Sequence, residues 1–581
     1  MNLIKKLTRA LSIHRHFVLV VACLLIIMTF PTILYVFNTD VFWVPVNSGD
    51  VWITFWNAWY FKSLVAGQAD FYFTNLLFYP DGLSLVYHNF TVPHMIVFAA
   101  LQLVMPASNA FNVTYLLVIV SVTVAPYVYL NFLFKDKWVG LFGAIIFGFS
   151  GYVVGRPQNP GSAFLAALPL ALYFLHRAIL ERRMSFIFIS GALTGATVFA
   201  DLYIFVCLLI VIGSFVVYFA TLKWREKDFW RRIVVLVIVI GSLSSFHLHQ
   251  LLADSGSLDN VLDKTSGQEK ENDLLQYFIN YENPIANRLI TNRLTTSVVQ
   301  LTNPGRWNTA YLGYVPLFLI FSGVLQARYR RRMIPWLILI FFFLALRLGS
   351  ILTINSQQLP AVRLPKYFAD QVFPLMFKAF HETDHFQIGI LLPLAVLSCY
   401  GLISILERMS NSKNKRIILI LIALLAVEYF RSPPGGRIVS PDEIQFLTWL
   451  SDEDANGVRL INLPMNRGNS KQYLLHQTLS EFPQVEGLAR RTPPSAYNYI
   501  EANPVLNAWH KHESLICTEG NRDGYLTAVA QLGADGFSHV VLHYSLLKPD
   551  TIEGSFSGLE PAYEDGFVAI YRLAILAEAC P

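Results

Sequence analysis

The chain has 581 residues, of which 54% are hydrophobic and 14% charged, with a formal net charge of +5. Soluble domains carry roughly 25% charged residues, so the composition excludes an ordinary soluble protein and predicts a polytopic membrane protein with soluble additions. The small positive balance sits between apolar runs, which argues for membrane topology and against a nucleic-acid partner.

The opening residues, MNLIKKLTRALSIHRH, are basic and lead into an apolar run from Phe17 to about Phe37. That run is long and has no small-residue cleavage site, so it reads as a first span with a cytoplasmic N-terminus. The stretch Asn47–His94 follows, too polar to cross a bilayer and too aromatic for an ordinary loop. Ser48 and Gly49 signal a helix start, and Asp50 stands where a first turn favours negative charge. At helical spacing Asp50, Thr54 and Asn57 share one face, while Trp52, Phe55, Trp56, Trp59 and Tyr60 cover the rest. Such aromatics suit a membrane–water boundary, so the expectation is an interfacial helix beside the first span. Val92–Met105 is short for a span and reads as a second, half-buried helix.

Further apolar runs lie at about 110–134, 139–155, 162–178, 185–200, 203–221, 232–250, 310–327, 333–349, 385–407 and 416–430. With the N-terminus inside, every strongly basic turn lands on one side: Lys135 and Lys137, Arg182 and Arg183, Lys223 to Arg232, Arg328 to Arg332, and Arg408 to Arg416. That consistency supports about eleven transmembrane helices. Gly151 with Gly155, and Gly191 with Gly195, have the spacing of close helix packing.

Arg431-Ser-Pro-Pro-Gly-Gly ends the membrane part. Beyond it, DEIQFLTWLSDE precedes VRLINLPM, LTAVAQLGADG precedes FSHVVLH, and a last strand pair surrounds Glu564-Asp-Gly. Helix before strand, twice, predicts a small α/β domain. The expected architecture is therefore mainly α: residues 1–430 form the membrane part, with an interfacial loop at 38–109, and residues 431–581 form an extracytoplasmic α/β domain. Cys517 and Cys580 both fall in that domain, and spacing alone leaves their pairing open. No phosphate-binding glycine loop, GxSxG or HExxH occurs, and no nucleotide cofactor is expected.

Charges are nearly absent from the middles of the apolar runs, unlike the midplane sites of transporters. They collect at the outer ends, as Asp201, His247, His249, Arg347, Asp384, His385 and Glu428. A site on that face has no access to cytoplasmic nucleotides, so group transfer there needs a donor carried in the membrane.

These residues resemble the GT-C integral-membrane glycosyltransferases, which carry a catalytic Asp in the first extracytoplasmic loop. The resemblance is closer to bacterial members with GD, WNAWYFK and a YPDG-type turn, here Tyr79–Gly82, and with YLGYVPL, here Tyr311–Leu317. It extends into the tail over LPMNRGNSKQYLLHQT, VEGLARRTPP and LGADGFSHVVLH. Where relatives have Arg-x-Pro-x-Arg-Phe, this chain reads His381-Glu-Thr-Asp-His-Phe386. The resemblance implies a plasma-membrane enzyme that moves a sugar from a polyprenyl-phosphate donor to a saccharide, lipid or protein acceptor, with Asp50 as general base.

Further site residues follow from chemistry and position. Trp56 and Asn57 accompany Asp50, and Asp81 lies in a turn sequence. His88 and His94 flank the second short helix and can meet phosphate or metal. Asp201 starts a span, and Arg156 faces outward, where a lipid phosphate would pair with it. Arg363, Lys366 or Lys378 would replace the missing arginines. His381, Glu382, Asp384 and His385, with His at i and i+4, can chelate a divalent metal such as Mg or Mn. Each also has a plainer reading as a cap, turn or interfacial anchor. Two other functions compete: a flippase of lipid-linked saccharides, and a non-catalytic membrane protein whose tail binds a partner.

Overall fold

The structure is a computed structural model and describes residues 14–30, 32–35, 42–44, 50–86, 88, 90–155, 164–253, 272–280, 283, 309–372, 383–409, 411–431, 437–439, 441–453, 457–489, 492–547 and 552–580; of Asp50 it describes the backbone alone. It is mainly helical. Every apolar run holds a helix, from Arg15–Thr29 through Ala107–Phe134, Leu202–Lys223 and Gln387–Leu406 to Asn411–Tyr429. Among the described residues, five helices are long and apolar enough to cross a membrane: Ala107–Phe134, Phe164–Glu181, Leu202–Lys223, Lys227–Ala253 and Thr383–Leu406. Val92–Leu101 spans ten residues, about 15 Å, half the thickness of a hydrocarbon core.

Local chemistry closes the turns. Lys135, in a left-handed conformation with φ 54°, ends Ala107–Phe134, and Asp136 caps the next helix by accepting from Trp138 N at 2.8 Å. The basic turns gather at one end of the bundle, where Arg182 meets Glu226 at 3.5 Å and Arg328 meets Glu407 at 3.2 Å. Gly191 and Gly195 pack against Val239 and Leu243, in keeping with their spacing.

The other end carries the first loop and the tail, and these two share one hydrophobic core. Trp52, Trp56, Tyr60, Leu77 and Phe78 from the loop are buried together with Ile461, Leu463, Leu474 and Val540 from the tail. Helix Ala107–Phe134 joins this core to that of the bundle, contributing Phe111 to the first and Ile119 and Val122 to the second. Strand β1 (Phe42–Val44), entering the loop, pairs antiparallel with a strand entering the tail, Arg437–Val439. Two short hairpins lie between them in sequence: β2 (Phe73–Thr74) with β3 (Leu83–Ser84), and β4 (Ile351–Ile354) with β5 (Gln357–Arg363). The strand Arg437–Val439 is therefore β6.

In the tail, β7 (Leu460–Leu463) and β8 (His539–His543) run parallel, and β10 (Val568–Arg572) pairs antiparallel between β8 and β9 (Tyr563–Glu564). These strands fall in VRLINLPM, FSHVVLH and around Glu564-Asp-Gly. Cys517 and Cys580 are paired as a disulfide, with Cα atoms 5.2 Å apart.

The expected open polar face of this helix is corrected here. Helix Asp50–Val65 forms, but Val51 to Ala58 and Tyr60 are all buried, Thr54 and Asn57 among them. Over those residues the helix packs against protein on every side. The aromatics that suit a membrane surface instead fill the core shared with the tail.

One buried acid in this region has a measurable signature. Glu486 is 3% exposed, and burial pushes its pKa up to about 7, opposed by Ser470, the backbone of Asn466 and Arg467. The folded chain therefore holds this proton more tightly than the unfolded one. Its stabilising share is full below about pH 4.5, falls as pH rises, and is gone above about 7; the whole effect is about 3 kcal/mol. Glu486→Gln is expected to flatten the fall in thermal midpoint between pH 5 and 8, and an unchanged pH profile would refute this.

Candidate functional site

Helix Asp50–Val65 begins with Asp50, whose side chain lies outside the described residues. Nearly two turns further on, Trp56 and Asn57 are buried. Trp56 Nε1 donates to Gln477 Oε1 at 2.7 Å, and its ring stacks on Tyr60 with centroids 4.6 Å apart. His88 Nε2 lies 2.6 Å from Asn57 Oδ1. His88 also sets its ring edge against Trp56, at 5.7 Å. The structure thus brings Trp56, Asn57 and His88 together.

His94 sits in the first turn of Val92–Leu101, stacked on Phe98. Its burial pushes the pKa down to about 3, so it is neutral at any physiological pH. Asp81 is exposed in the turn after Tyr79. There Gly82 adopts φ 77°, and a Cβ on it would lie 2.4 Å from the Phe73 ring. The turn is built to place Tyr79, whose ring stands under Arg459 and against Phe537 of the tail. Asp81 accordingly lies at the tail junction, away from the helix bundle.

A second polar group forms at the same end of the bundle, from helix termini. Asp201 is buried and caps Leu202–Lys223, accepting from Tyr203 N at 2.7 Å. The Tyr203 ring stacks on His385 with centroids 4.0 Å apart, and His385 Nδ1 lies 3.0 Å from Tyr152 Oη. Thr383, two residues earlier, accepts from Asn272 Nδ2 at 2.8 Å; the same amide also donates to the Arg347 carbonyl. Arg347 is fully buried, donating to Gln276 Oε1 at 3.2 Å. The first loop meets this end of the bundle at His247, whose Nδ1 lies 3.1 Å from the Tyr72 hydroxyl and on whose imidazole Phe199 packs.

Of the expected metal ligands, His381 and Glu382 lie outside the described residues, while Asp384 and His385 are buried. His385 is flanked by Tyr152 and Tyr203, and among the described residues no three His, Cys, Asp or Glu side chains gather. Only two of the four expected donors are among the described residues, and no step below runs through a metal. Arg156 and Lys378 also lie outside the described residues. Lys366 is buried and held by Asp370 at 2.8 Å, its charge already matched by a carboxylate. Arg363 is exposed, over the Tyr367 ring.

Sequence reasoning missed Arg431. Its Nη1 donates to the Gly151 carbonyl at 2.9 Å, on the short helix Gly151–Val154 that carries Tyr152. A Cβ on Gly155 would lie 1.6 Å from that nitrogen, so Gly155 leaves room for a guanidinium. The available signal was its place as the first charge after the last apolar run.

No protein-family model matches the chain, and no curated protein sequence does. Solved structures do. Arabinofuranosyltransferase AftD from Mycobacteria matches 96% of this chain at 15% identity and a TM-score of 0.55. The chain spans 41% of AftD's length. The Archaeoglobus fulgidus oligosaccharyltransferase matches 91% of this chain and 68% of its own, at 13% identity and a TM-score of 0.47. ArnT from Cupriavidus metallidurans matches 99% of each chain, at 9% identity and a TM-score of 0.42. With its helix bundle, buried first-loop helix and polar groups at one end, the chain has the fold of the GT-C integral-membrane glycosyltransferases.

Proposed function

We propose that the chain is an inverting glycosyltransferase that moves a sugar from a polyprenyl-phosphate-linked donor to a saccharide, lipid or protein acceptor outside the cytoplasm. The match of nearly the whole chain to AftD, by name an arabinofuranosyltransferase, supports this most. In this reading about eleven helices span the plasma membrane, the N-terminus is cytoplasmic, residues 1–430 hold the catalytic site, and residues 431–581 cover its acceptor side. The Cys517–Cys580 pair fits an oxidising compartment for that tail.

Asp50 takes the proton of the acceptor hydroxyl. The acceptor oxygen then bonds to the anomeric carbon as the bond from that carbon to the phosphate oxygen breaks. The anomeric configuration inverts, and polyprenyl phosphate leaves with the electron pair. Phosphate is already a good leaving group, so one carboxylate base suffices where hydrolases use an acid and a base. The charge growing on the phosphate needs a fixed cation. Arg431 suits that role better than Lys366, which Asp370 already holds.

The test is to supply the purified chain, in lipid vesicles, with radiolabelled polyprenyl-phosphate sugars and a panel of acceptors. Labelled acceptor and released polyprenyl phosphate are the expected result. Donor that crosses the bilayer uncleaved would favour a flippase and overturn the reading.

A further inference from the structure

We infer that Gln477, in the tail, is a positioning residue for the helix that Asp50 begins; this rests on the glycosyltransferase reading above. Gln477 is fully buried in helix Ser470–Ser480. Its Oε1 accepts from Trp56 Nε1 at 2.7 Å, across 421 positions of sequence. Its Nε2 donates to the Leu76 carbonyl at 2.7 Å and to the Phe482 carbonyl at 2.8 Å. One side chain therefore ties together the loop helix, the loop hairpin and the turn that ends its own helix. Both amide hydrogens are used, so no rotation of the amide preserves the set.

The surrounding contacts run the same way. Trp59 Nε1 donates to Glu481 Oε1 at 3.2 Å. Gln484 N donates to the Leu76 carbonyl, and Tyr79 N donates to the Gln484 carbonyl, each at 3.0 Å. Segment 484–485 also joins β7, with Val485 N donating to the Leu460 carbonyl at 3.0 Å. The loop helix is thus fastened to the edge of the tail sheet through a ladder that Gln477 closes at its buried side.

An indole N–H points in one direction, so its bond to Gln477 sets the rotation of the loop helix about its own axis. Side-chain atoms on a helix lie roughly 5–6 Å from that axis. Turning the helix by about 10° then moves a group on it by about 1 Å, and such a displacement at a reacting centre costs about 10²-fold in rate. Gln477 touches no substrate; it acts through Trp56 and the helix.

The test uses the full chain and two readouts. In Gln477→Ala and Trp56→Phe, amide hydrogen exchange over 50–65 is expected to rise about tenfold or more. For the same variants kcat should fall about 10- to 100-fold while KM for the donor stays within about threefold. Gln477→Glu, which keeps an acceptor for Trp56, should recover part of kcat. Leu450→Ala opens a cavity in the small core on the other face of the sheet, formed by Phe446, Leu450, Phe482, Val541 and Ile570. It removes none of the clamp's hydrogen-bonding groups, lowers the melting temperature and should leave kcat within about twofold. Unchanged exchange in Gln477→Ala overturns the proposal, as does an equal loss of kcat in Leu450→Ala. Normal kcat in Gln477→Ala, with an active wild type, overturns it while sparing the functional reading. A wild type that transfers no sugar overturns that reading and the positioning role together.

Discussion

Asp50→Asn is expected to lower sugar transfer by about 10²–10⁴-fold, the usual contribution of a general base, with folding and donor binding near normal. Asp50 is the first residue of helix Asp50–Val65, where the sequence places the first carboxylate past the first span. Asparagine keeps the shape and the oxygen that serves a helix start but cannot take a proton. Asp50→Glu should recover only part, because an added methylene moves the oxygen by about 1 Å. Initial rates with a polyprenyl-phosphate donor, together with donor affinity, decide the matter. Near-normal transfer by a well-folded Asp50→Asn chain would sink the assignment. Asp201 would then be the next base to test, although one of its oxygens already accepts from Tyr203 N.

Deleting Pro441–Pro581 is expected to abolish transfer and to unfold the first loop. Trp52, Trp56, Tyr60, Leu77, Phe78 and Leu83 owe their burial to a core shared with Ile461, Leu463, Leu474 and Val540. Burying one large apolar side chain is worth about 1.5–3 kcal/mol, so exposing six loses on the order of 10 kcal/mol. That is as much as a whole domain usually has, about 5–15 kcal/mol. Limited proteolysis should cut the truncated chain within 50–111, while the membrane helices stay protected. A truncated chain with an intact loop and bound donor would show that the tail is an accessory after all.

Local properties were legible in the sequence. Hydropathy and the charge of the turns placed helices in every apolar run, because both depend on residues near one another in the chain. The strands around VRLINLPM and FSHVVLH and the helix start at Asp50 were likewise visible from neighbouring residues. What surrounds that helix was not visible. Amphipathic aromatics satisfy a membrane boundary and a protein core equally well, and only the fold brings Gln477 to Trp56. The Cys517–Cys580 pairing, the claim of Asp370 on Lys366 and the space that Gly155 leaves for Arg431 were settled the same way, by side chains meeting in space. Backbone preference and hydropathy add up over adjacent residues, so one chain discloses them. A buried polar group has to find its partner wherever the closed chain puts one, and that is decided by tertiary packing.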